Sequence, residues 1–159
     1  MVTYKSGSIF DIEVDYYINT VNCVGVMGKG IALKFKKDYP TMFEEYKIKC
    51  NSGEIDIGNA FVWKNDDMFH PVSIINLPTK LHWKDPSSYV FIQKGLNWLH
   101  EYFKNDLQQS TVAMPAIGCG CGGLDWSKVK LMIDDMLSDS PAQFYIFNHI
   151  ETYEPYWRI

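Results

Sequence analysis

With 159 residues, of which 47% are hydrophobic, 15% aromatic and 21% charged, the chain has the make-up of one globular domain, long enough to bury roughly two thirds of the surface its unfolded form exposes. A net charge of −4 argues against sequence-blind wrapping of a nucleic-acid backbone, which needs clustered Lys and Arg, and leaves room for a small anionic ligand or one modified nucleotide. No basic segment leads into an apolar stretch within residues 1–11 and no run of about eighteen apolar residues occurs, so the expectation is one domain over 1–159, cytoplasmic, with neither secretion nor a membrane span.

In chain order, Val2 to Lys5 and Tyr16 to Thr20 read as short strands. Ile31, Ala32, Phe35 and Tyr39 have the spacing of one helix face, so a helix is expected over 31–39, stopped by Pro40. Thr41, with Glu44 three places on, forms a possible capping box for a second helix reaching Cys50. Asn59 to Trp63 and Ser73 to Leu77 read as strands, and Asp85 followed by Pro86 as a helix start for a segment ending near Lys104. Thr111 to Pro115 is a buried-looking strand, Asp125 caps a helix from Trp126 to Leu137, and Gln143 to Phe147 is the last strand. Helices between strands imply an α/β fold of three α/β/α layers, and in such sheets ligands settle beyond the carboxyl ends of the strands.

Two glycine-studded loops lie at such ends: Asn22 to Ala32, after the second strand, and Gly118 to Trp126, after Thr111 to Pro115. Glycine lets the main chain turn through positive φ and approach a ligand, so successive amides can converge on phosphate oxygens. A following helix adds its unpaired N–H groups. The familiar phosphate motifs fail, since Lys29 is followed by Gly30 and Leu33 stands at the third glycine position after Gly28 and Gly30. Neither an ATPase nor a dinucleotide oxidoreductase follows. The four cysteines, Cys23, Cys50, Cys119 and Cys121, form no C-x-x-C pair, and the C-x-C of Cys119 and Cys121 lacks a second pair. A reducing compartment, no metal and no cofactor are expected.

Three segments together carry a resemblance: Asn19-Thr20-Val21-Asn22-Cys23-Val24-Gly25-Val26-Met27-Gly28-Lys29-Gly30-Ile31-Ala32, Leu77-Pro78-Thr79-Lys80-Leu81-His82-Trp83, and Pro115-Ala116-Ile117-Gly118-Cys119-Gly120-Cys121-Gly122-Gly123-Leu124-Asp125-Trp126. Over nearly its whole length the chain resembles the macrodomain family, ADP-ribose-binding modules of α/β/α architecture with a mixed central sheet. It looks most similar to the DNA ADP-ribosyl glycohydrolase branch of DarG-like antitoxins, related to the terminal ADP-ribose protein glycohydrolases. The resemblance implies removal of ADP-ribose from thymine bases of single-stranded DNA, with a toxin ADP-ribosyltransferase as counterpart and a monomer as the working unit. At this length the chain leaves no room for the further carboxy-terminal region of such antitoxins, so it reads as a fragment or a free-standing eraser.

By the same resemblance, Thr20, Asn22 and Met27, Gly28, Lys29, Gly30 and Ile31 hold the distal ribose and one phosphate. Ile117, Gly118, Cys119, Gly120, Cys121, Gly122, Gly123 and Leu124 grip the pyrophosphate from the other side. Lys80, next to Thr79, carries catalysis, which a neutral amine would do by attacking C1″ of the distal ribose and a protonated one by stabilising charge. Two departures stand out. Gly7-Ser8 replaces the aspartate many members use for adenine, leaving Ser8, Ile9, Asp11, main-chain groups or a stacked Phe147 for that task. Gly122 stands where protein-directed relatives carry an aspartate, which favours the nucleic-acid branch.

Read from residues alone, Lys80 is equally a solvated turn lysine, Asn22 an Asx turn and Lys29 an exposed charge. His82 is either a general acid toward the departing base or a structural histidine, and Trp83 a packing residue or a cover for a flipped base. Erasure of protein-linked ADP-ribose, non-catalytic reading and hydrolysis of ADP-ribose 1″-phosphate remain as alternatives.

Overall fold

The fold is set by strands whose side chains alternate between two buried layers. In a computed structural model, which describes residues 1–148, six strands form one sheet in the order β1-β6-β5-β2-β4-β3. They are β1 (Val2–Lys5), β2 (Tyr16–Val21), β3 (Phe61–Lys64), β4 (Ser73–Pro78), β5 (Thr111–Pro115) and β6 (Gln143–Phe147). All neighbours are parallel except β3, which runs antiparallel to β4 at the edge. The expected mixed sheet is therefore present. Residues 149–159 of the expected domain lie outside the described residues.

The period-2 alternation of a strand separates the core into two halves. Ile18, Ile75, Leu77, Val112, Met114, Phe144 and Ile146 point into one cluster, with α3 (Tyr89–Phe103) and α4 (Trp126–Leu137) over it. Val21, Ile74, Ala113 and Phe147 point into the other, under α1 (Gly30–Asp38) and α2 (Pro40–Asn51). Each helix supplies an apolar stripe at three- and four-residue spacing: Ile92, Leu96, Leu99 and Phe103 on α3, Val129, Ile133 and Leu137 on α4. That is the expected α/β/α sandwich. Among the described residues no helix is long and apolar enough to cross a membrane.

Most element boundaries follow the sequence, with two corrections. Helix α3 begins at Tyr89, capped by the Ser88 hydroxyl accepting from Val90 N at 3.2 Å, and not at Asp85-Pro86. The cause is the preceding residue, Ser87, whose Oγ donates to Thr79 O and whose N donates to Gly122 O. Those tethers hold residues 81–88 as a loop across the strand ends. Helix α2 likewise starts at Pro40, with Tyr39 as its N-cap and no side-chain cap, so Thr41 and Glu44 form no capping box. Proline at the first helical position needs no N–H partner and is already set to helical φ.

Ser88→Ala is expected to cost about 1 kcal/mol of stability in urea unfolding, while Asp85→Ala shifts it by less than about 0.5 kcal/mol, the reverse of what a helix start at Asp85 would give.

Candidate functional site

Three neighbouring parallel strands, β5, β2 and β4, end at the same edge of the sheet, and the loops that leave them enclose a cleft of about 730 Å³, within the range of small-molecule sites. Because β2 is flanked by β4 on one side and β5 on the other, the connections diverge there, the arrangement that opens a crevice in α/β sheets.

The first loop follows β2 and is organised by Asn22, which is 8% exposed. Its Oδ1 accepts from Val24 N (3.1 Å), Val26 N (3.3 Å) and Tyr46 Oη (3.0 Å), and its Nδ2 donates to Val26 O (2.7 Å). Tyr46 Oη also lies 2.8 Å from Asn22 O, and its burial on α2 pushes the hydroxyl pKa well above the ordinary value. Asn22 is thus an Asx-type scaffold with one amide hydrogen left over for a ligand. The loop runs into α1, whose N-cap, Lys29, makes no side-chain cap bond. The amides of Gly30, Ile31 and Ala32 donate to no acceptor among the described residues, and all three residues line the cleft.

The second loop follows β5. Its own bonds are few: Cys119 N to Ala116 O, Gly123 N to Gly120 O and Leu124 N to Gly118 O. The amides of Gly118, Gly120, Cys121 and Gly122 again find no acceptor among the described residues. The tight fold requires glycine at two points. Gly118 has φ +73°, and a Cβ there would lie 2.7 Å from Ile92 Cδ1, while a Cβ on Gly122 would collide with the Gly118 carbonyl oxygen. Asp125 is a helix cap: its Oδ1 accepts from Ser127 Oγ (2.8 Å) and Ser127 N (3.0 Å), which hold its carboxyl below the usual range.

The third loop follows β4. Lys80 lines the cleft and donates from Nζ to Trp83 O at 3.2 Å. Its main chain is fastened to the first loop, since Cys23 N donates to Leu81 O (3.1 Å) and Cys23 Sγ to Lys80 O (3.4 Å). The charged residues among the described lining are Lys29, Lys80, Lys84 and Asp85, three cations to one carboxylate in a chain of net charge −4. Together with two sets of unpaired amides and the positive end of α1, this cleft is built for an anion.

Of the residues expected at the site, Thr20, Asn22, Gly28, Lys29, Gly30, Ile31, Thr79, Lys80, Gly118, Gly120, Cys121, Gly122 and Gly123 line it. The others sit elsewhere. Met27 and Ile117 are buried beneath their loops, Met27 against the Asn19 amide, and Cys119 turns inward with Sγ on Ile117 O. Leu124 packs against the core. Ser8 caps the short turn Ile9–Asp11, whose Ile9 is buried, and Asp11 answers by accepting from Ser8 N at 2.8 Å, so neither polar side chain is poised for a base. Phe147 is 2% exposed in the core under α1 and α2, with no open face to stack on adenine. His82 is outside the described lining, and its Nδ1 accepts from Lys84 N at 3.1 Å, which orients the ring. Sequence reasoning passed over Val21, Val26, Ala32, Lys84, Asp85, Pro86, Pro115 and Ala116 in the lining, and the supporting Tyr46 and Ser87.

The Macro domain family profile matches residues 18–133. A DNA ADP-ribosyl glycohydrolase of Mycobacterium tuberculosis is 47% identical over 130 residues, 82% of this chain and 37% of that protein. The solved macrodomain of Thermus aquaticus DarG is 34% identical with a TM-score of 0.85, covering 93% of this chain and 98% of that one. From Thermosipho africanus, the structure of DarTG in complex with ADP-ribose matches at 28% identity and a TM-score of 0.81, over 99% of this chain and 46% of that one. A DNA ADP-ribosyl transferase-DNA ADP-ribosyl glycohydrolase fusion protein of the same organism is 32% identical over 157 residues, 88% of this chain and 40% of that protein. The chain thus spans two fifths or less of these two curated relatives. It belongs to the macrodomain family.

Two outcomes follow from the site's construction. Tyr46→Phe removes the hydroxyl that serves Asn22, and urea unfolding should show a loss of about 1 kcal/mol. Burial pushes the thiols of Cys23 and Cys119 up to about 12, whereas Cys121 is exposed. Iodoacetamide at pH 8, followed by peptide mass spectrometry, should therefore label Cys121 first and leave Cys23 and Cys119 largely unmodified.

Proposed function

We propose that this macrodomain is an ADP-ribosyl glycohydrolase that removes ADP-ribose from thymine bases of DNA. The observation that carries the reading is Lys80, a cleft-facing amine at the end of β4, set between two loops of unpaired amides. In this reading the pyrophosphate lies between the N-terminus of α1 and the Gly118–Gly122 amides, which supply donors on opposite sides. The distal ribose then meets the spare N–H of Asn22, and its C1″ faces Lys80. The names of the Mycobacterium and Thermosipho relatives and the ADP-ribose bound by the Thermosipho protein support the same assignment.

The chemistry is a double displacement. The Lys80 amine donates its lone pair to C1″ as the bond from C1″ to the thymine nitrogen breaks, that bond's electron pair leaves with the base, and the base takes up a proton that the alkylated amine gives up. Water then hydrolyses the lysine adduct, releasing ADP-ribose and restoring the amine. Two features favour DNA over protein as the carrier. The second loop presents no carboxylate among its residues 117–124, and Gly122 has no space for one, because any Cβ there meets Gly118 O. Asp125 is committed to capping α4. By extension, the physiological setting is the cytoplasm, the working unit a monomer, and the counterpart an ADP-ribosyltransferase toxin, in keeping with the transferase joined to the Thermosipho relative.

The test pairs two substrates, a single-stranded oligonucleotide carrying ADP-ribosyl-thymidine and an ADP-ribosyl-glutamate protein, with wild type and Lys80→Ala. Wild type should release ADP-ribose from the oligonucleotide, and Lys80→Ala should do so at least about a hundredfold more slowly. Equal rates for the two would remove Lys80 from the chemistry. Binding of ADP-ribose without release from either substrate would make the domain a reader, and release from the protein alone would move the substrate class.

A further inference from the structure

Four tryptophans lie among the described residues, and three of them are packing residues. Trp98 and Trp126 lie against the core beneath α3 and α4, and Trp63 against the core beneath α1 and α2. Trp83 joins neither cluster and is 46% exposed at the cleft mouth. Its ring contacts are with its chain neighbours, the His82 ring at 5.4 Å and tilted by 32° among them, which leaves large aromatic surface open beside a polar site. Trp83 is also tied to the reacting group, because its carbonyl oxygen receives Lys80 Nζ at 3.2 Å. Next to it, Lys84 Nζ stands 5.1 Å from the indole centroid and also lines the cleft. The rim therefore offers a flat ring and a cation immediately beyond the amine.

A ring beside a cation is the recognition chemistry of single-stranded nucleic acid: bases stack on aromatic faces while lysines meet the backbone phosphates. We propose that Trp83 is the platform on which the base joined to the distal ribose stacks, and that Lys84 pairs with the adjacent phosphate of the strand. The inference rests on the glycohydrolase reading for the position of the distal ribose. It names the element that distinguishes a nucleobase-linked ADP-ribose from one linked to a protein side chain, which brings no ring to that place. The local excess of lysine accounts for strand contact in a chain whose net charge would otherwise repel it, with Asp85 the one acidic residue of the described lining. The loop bearing Trp83 is held from behind by Ser87, through Thr79 O and Gly122 O, so the ring is presented on a fixed support.

The test uses the non-cleaving Lys80→Ala protein, alone and with Trp83→Ala, Trp83→Phe or Lys84→Ala added. Affinity for the ADP-ribosylated oligonucleotide is measured by fluorescence anisotropy, and affinity for free ADP-ribose by calorimetry. Trp83→Ala should weaken oligonucleotide binding about tenfold and ADP-ribose binding less than about twofold, with Trp83→Phe recovering most of the loss. Lys84→Ala should lower the slope of log affinity against log salt by about one for the oligonucleotide. Equal losses for both ligands, or no loss for the oligonucleotide, overturn the platform. The ADP-ribose arm also reports folding of each variant. A wild type that releases ADP-ribose from DNA while Trp83→Ala binds the oligonucleotide normally sinks this inference and leaves the glycohydrolase; a wild type that binds through Trp83 but releases nothing does the opposite.

Discussion

A buried or half-buried N–H without an acceptor is expensive, and this fold concentrates such groups at one edge of its sheet. The amides of Gly30, Ile31 and Ala32 open α1, and those of Gly118, Gly120 and Gly122 cross from β5 toward α4, with no acceptor among the described residues. Elsewhere the chain provides caps: Ser88 serves α3, Asp125 serves α4, and Ser8 with Asp11 closes the short turn after β1. Two helices lack a side-chain cap: α2 opens on Pro40, which has no N–H to satisfy, whereas α1 opens on Lys29 and Gly30 with its amides facing the cleft, where the helix dipole and three lysines favour an anion.

Unpaired donors are useful only if they are held still, and the three loops are fastened to one another for that purpose. Cys23 joins the first loop to the Lys80 segment through its amide and thiol. Ser87 joins that segment to Thr79 and to Gly122 of the second loop. From below, Tyr46 reaches Asn22 from α2, so the core beneath α1 and α2 fixes the residue that shapes the first loop. Each tether uses main-chain groups on at least one side, so side chains in the cleft stay available. Displacing any one loop would carry the others with it, which is the behaviour expected of a site organised before its ligand arrives.

What could be read from the sequence was whatever short-range physics determines. β5, α4 and β6 have the expected bounds, because strand alternation and the Asp125 cap are local signals. The two glycine loops were legible for the same reason, since strand, glycine run and helix follow one another directly. What escaped depends on contacts between distant segments. The start of α3 is moved by Ser87, whose partners lie eight and thirty-five residues away, at Thr79 and Gly122. For His82 the sequence left an acid and a structural role open, and it could not show the bond from Lys84 N to Nδ1 that orients the ring. Phe147, Ser8 and Ile9 sat at plausible strand ends, but burial and local capping occupy them. For Trp83 the sequence left packing and base-covering both open, and its absence from both core clusters removes the first.

The second loop is also folded so tightly that what it offers the cleft is mostly main chain. Gly118 needs its left-handed φ, and Gly122 lies so close to the Gly118 carbonyl that no side chain fits at that position. The main chain of that wall can bind phosphate oxygens through its amides, and among its side chains Cys121 brings a thiol to the cleft, but residues 117–124 bring no carboxylate. The facing wall carries Asn22, whose side-chain oxygen is occupied by two amides of its own loop and by the Tyr46 hydroxyl from α2. Between the two, the end of β4 contributes Lys80, anchored through its own carbonyl to Cys23 and extending a side chain whose one hydrogen bond among the described residues is to the Trp83 carbonyl. That contact costs little to exchange, because a solvent-facing carbonyl can take water in place of the amine. The amine is thus fixed at its base by main-chain contacts and held at its tip by a bond that water can replace.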